Sequence, residues 1–152
     1  MLVQQVIRTD PEKVLINIKN IDGSGSITTG MGAALVVTAA SGDGIGAIKN
    51  AAGAAAAHLF LGIAKSDIPI NGYGLLTAWG YAASVFISQS VGSWTITTGD
   101  VLIPAGQAGA FTSVVTNAAL SQAQYRYVIA LGAVADTISN PRPYMSGFVR
   151  AL

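Results

Sequence analysis

The stretch from His58 to Ser88 constrains the fold more than any other part of the sequence. It contains two apolar runs, and a turn sequence, Pro69-Ile-Asn-Gly-Tyr-Gly74, separates them. Apolar runs of this length, bounded by Pro, Asn and Gly, are typical of buried strands. We therefore predict two core strands, His58–Ala64 and Leu75–Ser88, joined by a tight corner, with a bulge or bend at Gly80.

Similar short runs recur along the chain at spacings that suit closed or stacked β-sheets. The sequence predicts a mainly β fold, a small β-barrel or β-sandwich of short antiparallel strands, with at most one short Ala-rich helix. Ala47–Ala57 is the candidate helix, because alanine is the best helix former. Thr98-Gly-Asp100 separates Ser93–Thr97 from Val101–Ile103 and predicts a β-hairpin. Tyr144–Ala151 predicts a last strand that docks into the sheet.

The length of the chain, 152 residues, favours one domain. We expect a single β-rich domain over residues 1–152, with 1–45 as an N-terminal arm or the first strands and 58–152 as the core. Cysteine is absent, which excludes a disulfide framework and a thiol nucleophile. The most membrane-like window, residues 44–64, is largely Ala and Gly and contains a lysine, so we expect no membrane association.

Charged side chains are scarce, at 10% of the residues, where about a quarter is usual. The net charge of +1 offers no basic field for nucleic acid or for an anionic membrane. Between Ile68 and Tyr125 the only charged residue is Asp100. Either small polar residues keep this surface soluble, or much of it is buried against copies of the chain or a partner. The composition favours the second interpretation, with some of the first.

No arrangement of residues predicts catalysis or metal binding. The single histidine, His58, lies beside an apolar run, which is more typical of a core or interface residue than of a catalytic triad. Asp22-Gly-Ser-Gly could offer oxygens to calcium, but Asp-Gly turns are far commoner than calcium sites. Asp67 and Asp100 could form a glycosidase pair only if the fold brought them face to face. We therefore expect no enzyme, no cofactor and no metal site.

Aromatic and arginine side chains are the candidate interface residues. The aromatic ones are favoured as core or subunit contacts, and a sugar-stacking platform is the alternative. The arginines could anchor carboxylates of a partner, or could equally be ordinary exposed strand residues. The full set is Tyr73, Trp79, Tyr81, Trp94, Arg126, Arg142 and Arg150.

Three segments, His58–Ala64, Ile68–Tyr81 and Gly99–Ile103, resemble parts of small structural proteins of tailed bacteriophages. The closing segments Ile129–Ala135 and Gly147–Leu152 share this likeness. The chain looks most like head decoration (cement) proteins, which sit on the outside of the capsid. The likeness covers about the C-terminal two thirds of the sequence.

This resemblance implies a small β-rich virion protein on the outer surface of the phage head, without catalysis. Its implied partners are further copies of itself, as a homo-oligomer and specifically a trimer, and the major capsid protein. A clip across capsomer junctions would add buried area that must be lost before the shell opens. Many weak copies would act together through avidity. The alternative is a carbohydrate-binding module of a phage tail or surface, and a lyase or hydrolase has no supporting residues.

Overall fold

The structure is a computed structural model that describes residues 12–37, 45–50, 59–87, 95–104, 108–113, 127–135 and 144–151. Its secondary structure in these ranges is β, without any α-helix. The strands are β1 Val14–Asn20, β2 Gly32–Leu35, β3 Gly46–Lys49, β4 Phe60–Ala64, β5 Tyr73–Phe86, β6 Thr95–Ile96, β7 Val101–Pro104, β8 Phe111–Ser113, β9 Tyr127–Ala130, β10 Val134–Ala135 and β11 Tyr144–Arg150. The predicted mainly β fold is confirmed.

Five strands close into a β-barrel in the order β1-β3-β2-β4-β5, and β5 pairs back onto β1. The closing pair is antiparallel and runs from Val14 opposite Trp79 to Lys19 opposite Tyr73. The β1–β3 pair is parallel, whereas the other pairs of named strands in the described ranges are antiparallel. Closure removes the unpaired edges that an open sheet would expose.

Strand β5 is long because it belongs to two structures. Its first half forms one wall of the barrel, and its second half pairs with β11. From β11 the sheet continues through β9, β7 and β8, while β6 and β10 form a separate two-stranded sheet. The last predicted strand therefore docks as expected, between β5 and β9.

The core has two parts that match this division. Small and β-branched side chains, among them Ile18, Ala33 and Ala47, fill the barrel. Larger residues lie between the barrel and the strand extension, where Phe60 and Phe111 pack edge to face with ring centroids 5.3 Å apart. A barrel of five strands is narrow, so small inward side chains suit its interior.

Gly80 marks the point at which β5 passes from the barrel to the extension. Its φ of 101° lies in the region that favours glycine, and a Cβ there would overlap the carbonyl oxygen of Glu12. The predicted bend at Gly80 is therefore confirmed. The predicted pair of core strands is confirmed too, since β4 and β5 pair antiparallel across the corner that contains Asn71.

The expected helix over Ala47–Ala57 is wrong for its first residues. Ala47, Ile48 and Lys49 lie in β3, between β1 and β2. Ala47 is fully buried in the barrel, where a small side chain lets neighbouring strands approach closely. Helix propensity is a weak preference that such tertiary contacts override. Residues 51–57 lie outside the described ranges.

The expected hairpin of Ser93–Thr97 with Val101–Ile103 is also wrong, although its turn forms. The Asp100 carboxylate accepts hydrogen bonds from the backbone N–H of Thr97 at 2.9 Å and from its hydroxyl at 3.0 Å. The two flanking strands nevertheless separate, since β6 pairs with β10 and β7 pairs with β8 and β9. Backbone hydrogen bonds from Gly99 to Ala130 and from Ala130 to Asp100 hold the turn against β9.

Candidate interaction surface

A stripe of apolar and aromatic side chains runs along the outward face of β5. Alternate residues of a strand share a face, and the odd-numbered face of this strand holds Tyr73, Leu75, Trp79 and Tyr81, whereas the odd-numbered Thr77 and Val85 are buried. Tyr73, Leu75 and Tyr81 are exposed. Trp79, which lies between Leu75 and Tyr81 in the sequence, is partly buried. The even-numbered Leu76, Ala78 and Ala82 are buried. Three sequence-predicted interface residues therefore lie on one face of one strand.

Strand β1 extends this surface sideways. Directly opposite residues of paired strands share a face, and the register places Leu15 opposite Thr77, Asn17 opposite Leu75 and Lys19 opposite Tyr73. We call Leu15, Tyr73, Leu75, Trp79 and Tyr81 the outer stripe. The exposed fractions of its four exposed members run from 39% for Leu15 and Tyr81 to 60% for Tyr73. Because these exposed large apolar side chains share one face, this face is the candidate interaction surface of the described residues.

Two lysines flank the aromatic rings of the outer stripe. The Lys13 ammonium lies 5.4 Å from the centroid of the Tyr81 ring, and the Lys19 ammonium lies 6.0 Å from that of Tyr73. Both distances fall within the range of cation–π contacts. The surface therefore combines apolar and aromatic side chains with positive charge at both ends.

Trp79 and Arg150 connect the outer stripe to β11. The Trp79 ring packs edge to face on Phe148, with centroids 5.4 Å apart and planes at 81°. Arg150 lies opposite Trp79 in the strand register, so its exposed side chain shares that face. Because Trp79 is held by Phe148, it supports the surface and offers only part of its ring to a partner.

The remaining predicted interface residues Trp94, Arg126 and Arg142 lie outside the described ranges, as does His58. Sequence reasoning missed Leu15, Leu75 and Lys13, which belong to the same surface. The alternation of Leu15, Asn17 and Lys19 in β1 was the available signal, because it contrasts with the buried Ile18 and Asn20. Only the β1–β5 register shows that these residues lie beside Tyr73 and Tyr81.

A cavity of about 170 Å³ lies next to the outer stripe. The buried side chains of Ile63 and Thr77 are among its lining residues, together with Leu15 and Tyr81 from the stripe. Lys13 and Lys65, both exposed, also line it. The described lining contains no carboxylate.

Two aspartates that sequence analysis considered for chemistry instead hold loops together. Partial burial raises the pKa of Asp22, but hydrogen bonds from Ser24 and Lys49 and the Lys49 charge outweigh it, so the pKa lies below its ordinary value. Hydrogen bonds from the Thr29 N–H and hydroxyl, at 2.7 and 2.9 Å, likewise lower the pKa of Asp67. Within the described ranges, no group of three or more His, Cys, Asp or Glu side chains could hold a metal ion.

No protein-family model matches this chain, and no curated protein is significantly similar to it. Among the described residues, no helix has the length and apolar character needed to cross a membrane.

Proposed function

We propose that this protein is a structural virion protein that decorates and stabilises a bacteriophage capsid from the outside, through contacts with the major capsid protein. The outer stripe is the observation that carries the proposal, because it gives a closed, charge-poor barrel a ready contact surface. The resemblance of the sequence to head decoration proteins supplies the identity of the partner. On this proposal the protein is no enzyme and works as a homo-oligomer, specifically a trimer.

The physical role follows from avidity. Each copy that binds across a capsomer junction adds buried area that the shell must lose before it opens. Contacts of modest area would suffice, because a shell carries many equivalent sites and one oligomer engages several of them. Catalytic groups would add nothing to this mechanism.

Binding to shells assembled from the major capsid protein of the same phage genome tests the proposal. We expect the protein to co-sediment with expanded shells and to raise their melting temperature in calorimetry. The double variant Tyr73→Ser with Leu75→Ser should bind at least about tenfold more weakly, since two large apolar contacts are lost. Leu131→Ser is the matched control, because Leu131 is 43% exposed but belongs to the turn after β9.

Failure to bind expanded shells at all would overturn the proposal. Equal binding to expanded shells and unexpanded procapsids would contradict a cement that acts at maturation. Equal binding of the double variant and the wild type would remove the outer stripe from the contact.

A carbohydrate-binding module is the second candidate, and the exposure of Tyr73 favours it. Tyr73 is 60% exposed, and Asn17 and Lys19 lie on the same face. An exposed ring beside polar groups is the usual arrangement for stacking on a sugar. A glycan screen in which Tyr73→Ala abolishes binding, together with no affinity for shells, would favour this candidate.

A further inference from the structure

The volume of the cavity beside the outer stripe limits what can occupy it. Pockets for small-molecule ligands usually measure about 300–1,000 Å³, and this cavity measures about 170 Å³. An engineered apolar cavity of about 150 Å³ in another protein holds a benzene molecule. The space therefore suits a single aromatic or branched aliphatic group better than a whole metabolite.

The residues that line the cavity indicate that the part of the occupant that enters it is apolar. Ile63 and Thr77 are 1% and 5% exposed, and the methyl groups of Ala82 and Ala83 add further apolar surface. Leu15 and Tyr81 place the cavity on the same face as the outer stripe. An apolar group in the cavity would thus extend a contact made by the outer stripe.

The charges around the cavity indicate what should flank the apolar group. Lys13 and Lys65 line it, and no ion pair joins either lysine to another residue of the described part. The Asp67 carboxylate is not among the lining groups and accepts hydrogen bonds from the Thr29 N–H and hydroxyl. A carboxylate arriving with the occupant would find ammonium groups and no competing acid in the described lining.

We propose that this cavity is an anchor pocket for a partner polypeptide, which inserts one apolar side chain and places an adjacent carboxylate against Lys13 and Lys65. The inference rests on the proposed function insofar as it identifies the major capsid protein as the source of that segment. Its chemistry is independent of that source. A second copy of this chain is the alternative occupant, which the solution mass of the pocket variants reports.

Hydrocinnamate serves as the probe, because it joins one phenyl ring to a carboxylate, and phenylpropylamine carries the opposite charge on the same skeleton. Amide chemical shifts of the full-length protein should change on titration with hydrocinnamate at Leu15, Thr77, Ala82 and Ala83. A fragment of this size should bind in the millimolar range. Phenylpropylamine should bind more weakly, since the lysines repel it.

Lys13→Gln and Lys65→Gln should each weaken hydrocinnamate binding about two- to fivefold, the effect of one exposed ion pair. Lys19→Gln is the matched control, because Lys19 lies on the same face at Tyr73 and is absent from the described lining. Leu15→Glu should weaken binding further by placing a carboxylate at the cavity. Leu75→Glu is the matched control for Leu15→Glu, because the two leucines are 40% and 39% exposed and Leu75 is absent from the described lining.

The absence of saturable shifts at these residues, or equal binding of the two probes, would overturn the pocket. The titration contains no shells, so its failure is distinct from a failure of the capsid proposal. Shell binding that persists in Lys13→Gln with Lys65→Gln, at wild-type affinity, would overturn the assignment of the pocket to the capsid contact. A self-association lost in Leu15→Glu and kept in Leu75→Glu would overturn it in favour of a second copy.

Discussion

Asn20, at the end of β1, is completely buried and yet fully hydrogen-bonded. Its amide nitrogen donates to the carbonyl oxygens of Ile68 at 3.0 Å and Gly25 at 3.2 Å, and its side-chain oxygen accepts from the N–H of Asp22 at 2.9 Å. One side chain therefore ties β1 to the loop that follows it and to the corner before β5. Asn50 is buried as well, but neither the oxygen nor the nitrogen of its side-chain amide has a hydrogen-bond partner in the described structure.

Replacing these two asparagines separates hydrogen bonding from packing. Asn20→Ala should lower the free energy of unfolding by about 2–3 kcal/mol, because it leaves buried backbone groups without their partners. Asn50→Ala removes the same atoms from a buried position without breaking a hydrogen bond, so its loss should be clearly smaller. Urea unfolding followed by circular dichroism measures both. Equal losses would show that the cavity left behind, and not hydrogen bonding, sets the cost.

The aspartates of the loops make stability depend on pH in a defined direction. The pKa values of Asp22 and Asp67 are lowered in the folded state from 3.8, so the native state binds fewer protons than the unfolded state as the pH falls. Their contribution is complete above that ordinary value and is lost as the pH falls through the folded pKa. The melting temperature of the wild type should therefore decline below about pH 5. In Asp22→Asn with Asp67→Asn the decline should be shallower, and an unchanged slope would contradict this assignment.

At the scale of elements, β5 connects the barrel to the rest of the sheet. A straight strand could not follow both the barrel wall and β11, because a small barrel curves strongly. Gly80 provides the bend, and the register between β5 and β11 shifts again near Met145 and Gly147. The bend also leaves Trp79 and Tyr81 on the outer side, so it shapes the outer stripe.

Gly80→Ala should be among the most destabilising glycine-to-alanine substitutions of the described residues. Positive φ costs a non-glycine residue about 1–3 kcal/mol, and the overlap with the Glu12 carbonyl oxygen adds to that cost. Gly99→Ala isolates the first effect, because Gly99 has a φ of 97° but no atom near its added Cβ. We expect a loss of about 1 kcal/mol for Gly99→Ala and about 3 kcal/mol or more for Gly80→Ala in thermal unfolding. Similar values for the two would show that the backbone at Glu12, just before β1, shifts easily.

At the scale of the whole molecule, the scarcity of charge and the exposed outer stripe both raise the question of which binding partner buries this surface. A monomer with 10% charged residues needs its polar uncharged groups for solubility. The outer stripe concentrates the exposed aromatic area of β5 on one side of the barrel. Association through this side would remove it from water in a trimer, on a shell, or in both.

Solution mass distinguishes these states. Light scattering with size-exclusion chromatography should give a mass of about three chains, as expected for a cyclic trimer. Tyr73→Glu with Leu75→Glu should give a folded monomer if the stripe mediates self-association, since both residues are already 40% or more exposed. Val37→Glu is the control and should leave the mass unchanged. Val37 is 68% exposed and lies two residues after the end of β2. A wild-type monomer would contradict the trimer, and the stripe would then be assigned to a partner alone.

The sequence by itself determined several of the segments that become strands, among them β4, β5 and β11. The apolar runs around the Pro-Ile-Asn-Gly turn, the glycine in the long strand and the last strand were predictable because period-two alternation and turn chemistry are local properties. The shared face of Tyr73, Trp79 and Tyr81 was not predicted, because Tyr73 was assigned to the turn and β5 in fact begins at that residue.

Only the tertiary structure decided which strands are neighbours. Thr98-Gly-Asp100 forms its turn, yet β9 and β10 provide the partners of the flanking strands, and Ala47 joins a strand against its helix propensity. Closure of β1 onto β5 likewise places Leu15 and Lys13 beside Tyr81 and creates the lysine-flanked cavity. These contacts join residues that are dozens of positions apart, and their free energy comes from burial in a shared core, which no local pattern encodes.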